Sequence, residues 1–198
     1  MIAERWNHNI AYYGLVVGSV PAGARRALDV GAGDGMLARE LSRIVPEVWA
    51  LERDAAMVEK ARAEDRGSTC VRYVRGDLMT TALEPGSFDL VACVAALHHM
   101  DAAAALTRMR DLVRPGGRLV VVGLARADLP RDVPYEMAGA VASRVYQASR
   151  GFWCSGAPTC PPSATYGEMR ALAARLLPGV RYRRHALWRY SLVWQLNP

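Results

Sequence analysis

At 198 residues and 52% hydrophobic composition, the chain is long enough to bury one full core and cramped for a second, so a single domain spanning 1–198 is expected. The formal net charge of +6 is carried by arginine, Lys60 being the sole lysine, and the arginines are scattered without the aromatic-interleaved basic block of single-strand binders, which argues against nucleic acid. The four cysteines lack CxxC spacing, which argues against a disulfide scaffold and against a metal site, and for reduced thiols in a cytoplasmic protein.

In chain order, the first apolar run covers residues 10–24. Arg5 before it and Ala-Gly-Ala at its end loosely imitate a secretory signal. Glu4 weakens the positive leader, Tyr12 and Tyr13 are unusual in such a core, and Gly and Pro interrupt the run too early to cross a bilayer. Residues 1–24 are therefore expected to form a helical lid packed on the domain. Short apolar runs then alternate with helical spacing: strands at 27–30, 47–51, 71–74, 88–94 and 118–123, helices at 36–44, 55–63 and 102–113. Arg114-Pro-Gly-Gly117 reads as a helix stop and turn. Such alternation predicts right-handed crossovers and a parallel sheet covered on both faces.

Beyond Leu124 the rhythm changes. Residues 125–164 are proline-rich, with one helix over 135–149 and a loop carrying Phe152 and Trp153. A helix over 165–177 follows, then two strand-like runs, 180–185 and 188–196, close enough for an antiparallel hairpin.

The chemistry concentrates in "LDVGAGDG", where a strand turns into a helix over Gly31, Gly33 and Gly35. Glycines there let backbone come close to a ligand and offer the N–H groups of a helix start. A dinucleotide fingerprint requires a small residue where Met36 stands, and Asp29 and Asp34 would face its diphosphate. A cationic ligand without phosphate suits the two acids better.

Taken together, "LDVGAGDG", "VWALERD", "VRYVRGDL", "SFDLVACVAALHHMD" and "LVRPGGRLVVVG" resemble, in order, the motif series of class I S-adenosylmethionine-dependent methyltransferases, nearest the ubiquinone and menaquinone branch. The resemblance covers about 24–124. It implies a Rossmann-like, doubly wound α/β fold with a seven-stranded, mostly parallel sheet and an antiparallel C-terminal hairpin, and S-adenosyl-L-methionine as cofactor. It also implies that Asp29 and the backbone of Gly31, Ala32, Gly33 and Gly35 hold the methionine portion. Glu52 would take the ribose hydroxyls, Arg53 or Asp54 would line the adenine, Asp77 would accept from the adenine amino group beside Leu78, and Val94 would open the loop near the sulfonium.

Plainer readings stand beside these. Asp29 caps the following helix or pairs with an arginine; Glu52 is a solvated acid; Gly76-Asp77 is an ordinary turn. His98 and His99 are candidate bases, with His98 preferred as the one facing the pocket, or they only order the cofactor loop. The 125–164 insertion and the lid are expected to select a small aromatic or hydrophobic acceptor through Tyr12, Tyr13, Met137, Tyr146, Phe152 and Trp153, each of which also fits ordinary core contact. The expected partner is that small molecule, with no membrane, for a monomer or homodimer in biosynthesis of a specialised metabolite. Rival readings are a nicotinamide-dependent oxidoreductase and a noncatalytic methyltransferase-like subunit.

Overall fold

A computed structural model describes residues 5–65, 70–150, 152–154, 156 and 160–197. Seven strands form one sheet in the order β3-β2-β1-β4-β5-β7-β6. They are β1 (Arg26–Val30), β2 (Glu47–Glu52), β3 (Val71–Arg75), β4 (Phe88–Val94), β5 (Val113–Gly123), β6 (Arg181–His185) and β7 (Arg189–Gln195). The first five run parallel, while β7 is antiparallel to both β5 and β6. This is the doubly wound α/β sheet with a C-terminal antiparallel hairpin that the alternation and the resemblance imply. Among the described residues six helices connect it: α1 (Tyr13–Val17), α2 (Met36–Leu41), α3 (Ala55–Glu64), α4 (Ala102–Leu112), α5 (Val133–Arg150) and α6 (Tyr166–Leu176).

The central strands are buried on both faces, as parallel strands under crossover helices must be. In β4, six consecutive residues from Phe88 to Cys93 are buried, whereas β3 at one edge alternates with exposed positions. Odd and even residues therefore feed two cores. One collects Leu28, Val91, Val121 and Tyr190 under α4 and α6; the other collects Ala27, Leu90, Val120 and Leu41 under α1 and α2.

Helix starts are fixed locally. Asp54 and Asp101 accept from backbone N–H groups in the first turns of α3 and α4, and Thr165 with Glu168 forms a capping box on α6. At the amino edge of the sheet, buried Asp89 accepts from the amides of Arg25 and Arg26, both at 2.8 Å, and pairs with Arg114 at 2.5 Å.

Two segments differ from the sequence expectation, while the cysteines agree with it. The N-terminal region has a single tight turn, Ile10–Tyr12, and the five-residue α1 in place of a longer helical lid, because Gly14 and Gly18 carry little helix propensity and Pro21 stops the run. Residues 114–117 do not form a separate turn. They bulge within β5, whose pairing with β4 jumps from Phe88↔Val113 to Leu90↔Arg118, and the bulge is held by hydrogen bonds between Gly116, Gly117 and Leu196. Cys154 and Cys160 are both exposed and free.

Candidate active site

Strand ends and helix starts of a parallel sheet meet at its carboxyl edge, and a ligand crevice belongs there. A cavity of about 470 Å³ occupies this edge, lined by the loops after β1, β2, β3 and β4, and its size falls in the usual small-molecule range of roughly 300–1,000 Å³.

After β1 the chain passes through Gly31, Ala32, Gly33 and Asp34, all of which line the cavity. Gly31 has φ +71°, and a Cβ there would lie 2.2 Å from the Cβ of Ala96 in the loop after β4. Its glycine thus lets two loops touch, with Ala95, next to that contact, itself at φ +54°. Gly33, at φ +56°, has open space where a side chain would stand. The three glycines do different work, and Gly33 is the one whose open side matches room for a ligand.

Glu52 ends β2 and bridges two loops. Its Oε2 accepts from the Gly33 amide at 2.9 Å and its Oε1 from the Asp54 amide at 2.9 Å. Arg53 and Asp54 line the wall beside it. Asp77, past the end of β3, caps its own turn by accepting from the Met79 amide at 2.8 Å and still lines the cavity next to Leu78. The turn reading and the lining position coexist.

Asp29 and Gly35 do not line the cavity. Asp29 is 2% exposed within β1; burial, then the charges of Glu52 and Asp34, push its carboxyl up to about 7, against a smaller pull from the Ala38 amide. That amide lies in the first turn of α2, whose N-cap Gly35 offers no side chain; the carboxyl that accepts from this turn is Asp34, whose Oδ1 takes the Met36 amide at 3.4 Å. Gly35 is packed against Tyr73, Ala61 and Arg39. Asp34 is held above the ordinary carboxyl range, mainly by burial. The Oδ2 atoms of Asp29 and Asp34 are buried without a hydrogen-bond partner among the described residues. Orphaned carboxyl oxygens beside a cavity suit a cationic guest and oppose a diphosphate.

Of the two histidines in the turn Leu97–His99, His99 lines the cavity with Met100 and Val94, whereas His98 does not. Successive residues of such a tight turn point about 120° apart, so only one of the pair faces inward. The His98 ring packs against His99 at 4.1 Å between centroids, and its Nδ1 is buried and unpartnered. Burial, with His99 and Arg189 nearby, lowers its imidazole to about 4.

The opposite wall is built from Asn7, Asn9, Tyr13 and Trp153. Tyr13 and Trp153 were expected at the acceptor side; Tyr12, Met137, Tyr146 and Phe152 do not reach the cavity. The Tyr12 hydroxyl donates to the Ala186 carbonyl. Tyr146 stacks on Trp6 at 5.2 Å, and Phe152 lies against Trp6 and His8. Met137 points to solvent at 66% exposure, because the side of α5 turned to the domain is made of Gly139 and Ser143.

The asparagines carried no signal beyond their turn-forming character. Asn7 caps its turn by accepting from the amides of Asn9 and Ile10, and Asn9 Oδ1 accepts from Arg189 Nε at 3.1 Å and Nη2 at 2.7 Å. Trp6, 3% exposed, anchors this arm, and its carbonyl accepts from the Trp153 amide at 2.8 Å. His8 and His185 serve packing: His8 bonds Ser143, and His185 bonds Ser191 beneath the Tyr12 ring.

Residues 28–121 match the family described as methyltransferase domain. An uncharacterised methyltransferase of Mycobacterium tuberculosis is 38% identical over 97% of this chain and 98% of its own length. A ubiquinone biosynthesis O-methyltransferase of Xanthomonas euvesicatoria is 35% identical, over 53% of this chain and 45% of that protein. Among solved structures, an S-adenosylmethionine-dependent methyltransferase from Mesorhizobium loti superposes with a TM-score of 0.65 at 18% identity, covering 96% of this chain and 98% of that one.

Proposed function

We propose, from the premise that the chain belongs to the S-adenosylmethionine-dependent methyltransferases, that it methylates oxygen, nitrogen or carbon of a small aromatic or hydrophobic metabolite. The setting of this reading is biosynthesis of a specialised metabolite in the cytoplasm, by a monomer or homodimer acting without nucleic acid. The observation that supports it best is the charge of the cavity wall. Asp34, Glu52, Asp54 and Asp77 line it, against Arg53 as the one arginine among the described lining residues. Such a wall attracts a cationic nucleoside and repels polyphosphate chains. The nicotinamide alternative has no support from that wall or from the relatives.

In this reading the Gly31–Gly33 backbone holds the methionine portion and Glu52 the ribose hydroxyls, while Asp77 and Leu78 flank the adenine with Arg53 nearby. Asp29 stands one step back, buried in β1 behind the glycine loop. When bound, S-adenosylmethionine supplies the electrophile, a methyl group on a sulfonium. The chain supplies alignment and a dry enclosure: Tyr13, Met100 and Trp153 form the apolar wall against which the acceptor lies. His99, facing the cavity, takes the acceptor's proton where the acceptor is a hydroxyl or a weakly acidic carbon, a contribution of about 10²–10⁴-fold. His98 orders the turn.

Calorimetric titration with S-adenosylmethionine, S-adenosylhomocysteine and NADPH, followed by transfer of a labelled methyl group to a panel of phenols, hydrophobic alcohols and RNA, tests the reading. Saturable heat with the first two and label on the small compounds is the expected result. Label on RNA alone would remove the small-molecule acceptor.

A further inference from the structure

Helix α5 wears its apolar side outward. Its buried positions are Gly139, against the Trp188 ring, and Ser143, bonded to His8. On the other side Val133, Met137, Val141 and Val145, four residues apart in succession, are 40–66% exposed. An ordinary surface helix has the reverse arrangement. The row runs about 18 Å along the axis, and Leu129, at 65% exposure, extends it. The charge free on this side is cationic. Arg131 and Arg144 are exposed against one exposed acid, Asp128, whereas Asp132 and Glu136 are taken up by Arg184, so the free charge is net positive.

We infer that this face docks on an anionic bilayer, with α5 lying in the headgroup plane and its valine and methionine row at the acyl boundary. It presents the cavity mouth to an acceptor dissolved in that bilayer. No helix is long and apolar enough to cross a membrane among the described residues, so the contact is peripheral. It departs from the expectation, stated from the sequence, of no membrane partner.

Two observations select a bilayer over a second copy of the chain. By helical periodicity Arg144 stands within the apolar row, between Val133 and Met137; a second copy would bring the same arginines to that face, while anionic headgroups neutralise them. The row also leads to the cavity. Near the C-terminal end of α5, Tyr146 stacks on Trp6; Phe152 covers Trp6 and His8; and Trp153, next in the chain, lines the cavity. A hydrophobic acceptor leaving the acyl boundary finds Tyr146, Phe152 and Trp153 between the row and the cavity. The bilayer origin of the acceptor rests on the hydrophobic-acceptor reading above; the docking itself does not.

Sedimentation of the full chain with extruded vesicles, without cofactor, tests the docking. Vesicles containing phosphatidylglycerol should bind at least about tenfold more protein than phosphatidylcholine alone, and high salt should release it. The combined variant Met137→Ser, Val141→Ser, Val145→Ser should lose that binding while unfolding at the wild-type temperature, because all three side chains already face solvent. Arg144→Glu should weaken binding to the phosphatidylglycerol vesicles and leave the phosphatidylcholine background unchanged. Equal or absent partition into both vesicle types overturns the inference, as does binding that survives the triple substitution. So does a dimer seen by sedimentation velocity that the same triple variant dissolves, since the face would then join copies of the chain.

Discussion

At the carboxyl ends of β1 to β3 the cavity wall consists of backbone and acids held close to a strand end: Gly31 to Asp34, Glu52 to Asp54, Gly76 and Asp77. The facing wall is assembled from Asn7, Asn9 and Tyr13 of the N-terminal arm and Trp153 after α5, which meet through Trp6 and Arg189. The first wall is specified by local backbone chemistry, and a change there alters loop geometry at once. The second depends on contacts between distant segments, so its parts are replaceable singly at modest cost and it is free to vary with the acceptor.

Gly31→Ala should break the first wall outright. The residue has φ +71°, and the added Cβ would sit 2.2 Å from that of Ala96. Left-handed strain and overpacking each contribute on the order of 1–3 kcal/mol, so urea unfolding should show a loss of about 3 kcal/mol or more. Gly33→Ala carries the left-handed strain of φ +56° but meets no steric neighbour, so it should lose only about 1–3 kcal/mol, less than Gly31→Ala, while weakening cofactor binding. Equal losses for the two would mean that both glycines serve folding alone.

Asp29→Asn probes the same wall through pH. The folded-state carboxyl titrates at about 7, against an ordinary value of 3.8, so between roughly pH 4 and 7 the native state holds a proton that the unfolded chain has released. Stability from this group is complete below pH 4 and is lost as pH rises through 7, by up to about 4 kcal/mol at 1.36 kcal/mol per unit. Asparagine should flatten that decline in unfolding curves taken from pH 4 to 8. An unchanged slope would remove Asp29 as its source.

The contrast between the walls also explains what could be read before the structure. Strand β4 was legible to the residue, because a seven-residue run bounded by turns, apolar at every position but Asp89, reads as a buried parallel strand. Glu52 and Asp77 were legible because a strand end fixes where the next side chain lies. Which histidine faces inward was not, since a three-residue turn has no periodicity to orient it. Nor were Met137, Tyr146 and Phe152: aromatic and apolar composition says that a surface will be covered, while their placement depends on Gly139 and Ser143 taking the inner side of α5. The bulge over 114–117 was read as a turn because Pro-Gly-Gly is turn chemistry wherever it occurs, and only pairing with Leu196 places it inside a strand.

His99→Ala sharpens the division of labour within one turn. Turnover should fall by about 10²-fold if the acceptor needs a base, with cofactor affinity retained. His98→Ala should leave turnover within about threefold on that scale and act on stability instead, because that ring is packed away from the cavity. A reversal of the two results would return the base to His98.

Glu52→Ala should raise the dissociation constant for S-adenosylmethionine by tenfold or more, since a hydrogen bond to a charged group contributes about 1.5–3 kcal/mol. Calorimetry with S-adenosylhomocysteine isolates this from catalysis. Part of the loss will come through the loop, as the Gly33 and Asp54 amides lose their acceptor. Glu52→Gln keeps an acceptor for one of them and should recover an intermediate affinity.

The smallest effect is expected where the two walls are joined. Asn9 lines the cavity and accepts two hydrogen bonds from Arg189, whose guanidinium also donates to the Leu187 and Trp188 carbonyls in the hairpin turn. Buried at 7% exposure, Arg189 has only neutral acceptors around it, and burial lowers its pKa to about 10. Asn9→Ala removes one of them and frees the N-terminal arm from the hairpin, a stability loss of about 1.5–3 kcal/mol because the bonds are to a charged group, and KM for the acceptor should rise by about two- to tenfold as that wall loosens. The cofactor dissociation constant should not move, because none of the residues assigned to the cofactor contacts Arg189. If cofactor affinity falls in step with acceptor affinity, the arm closes over both ligands together and the two walls act as one unit.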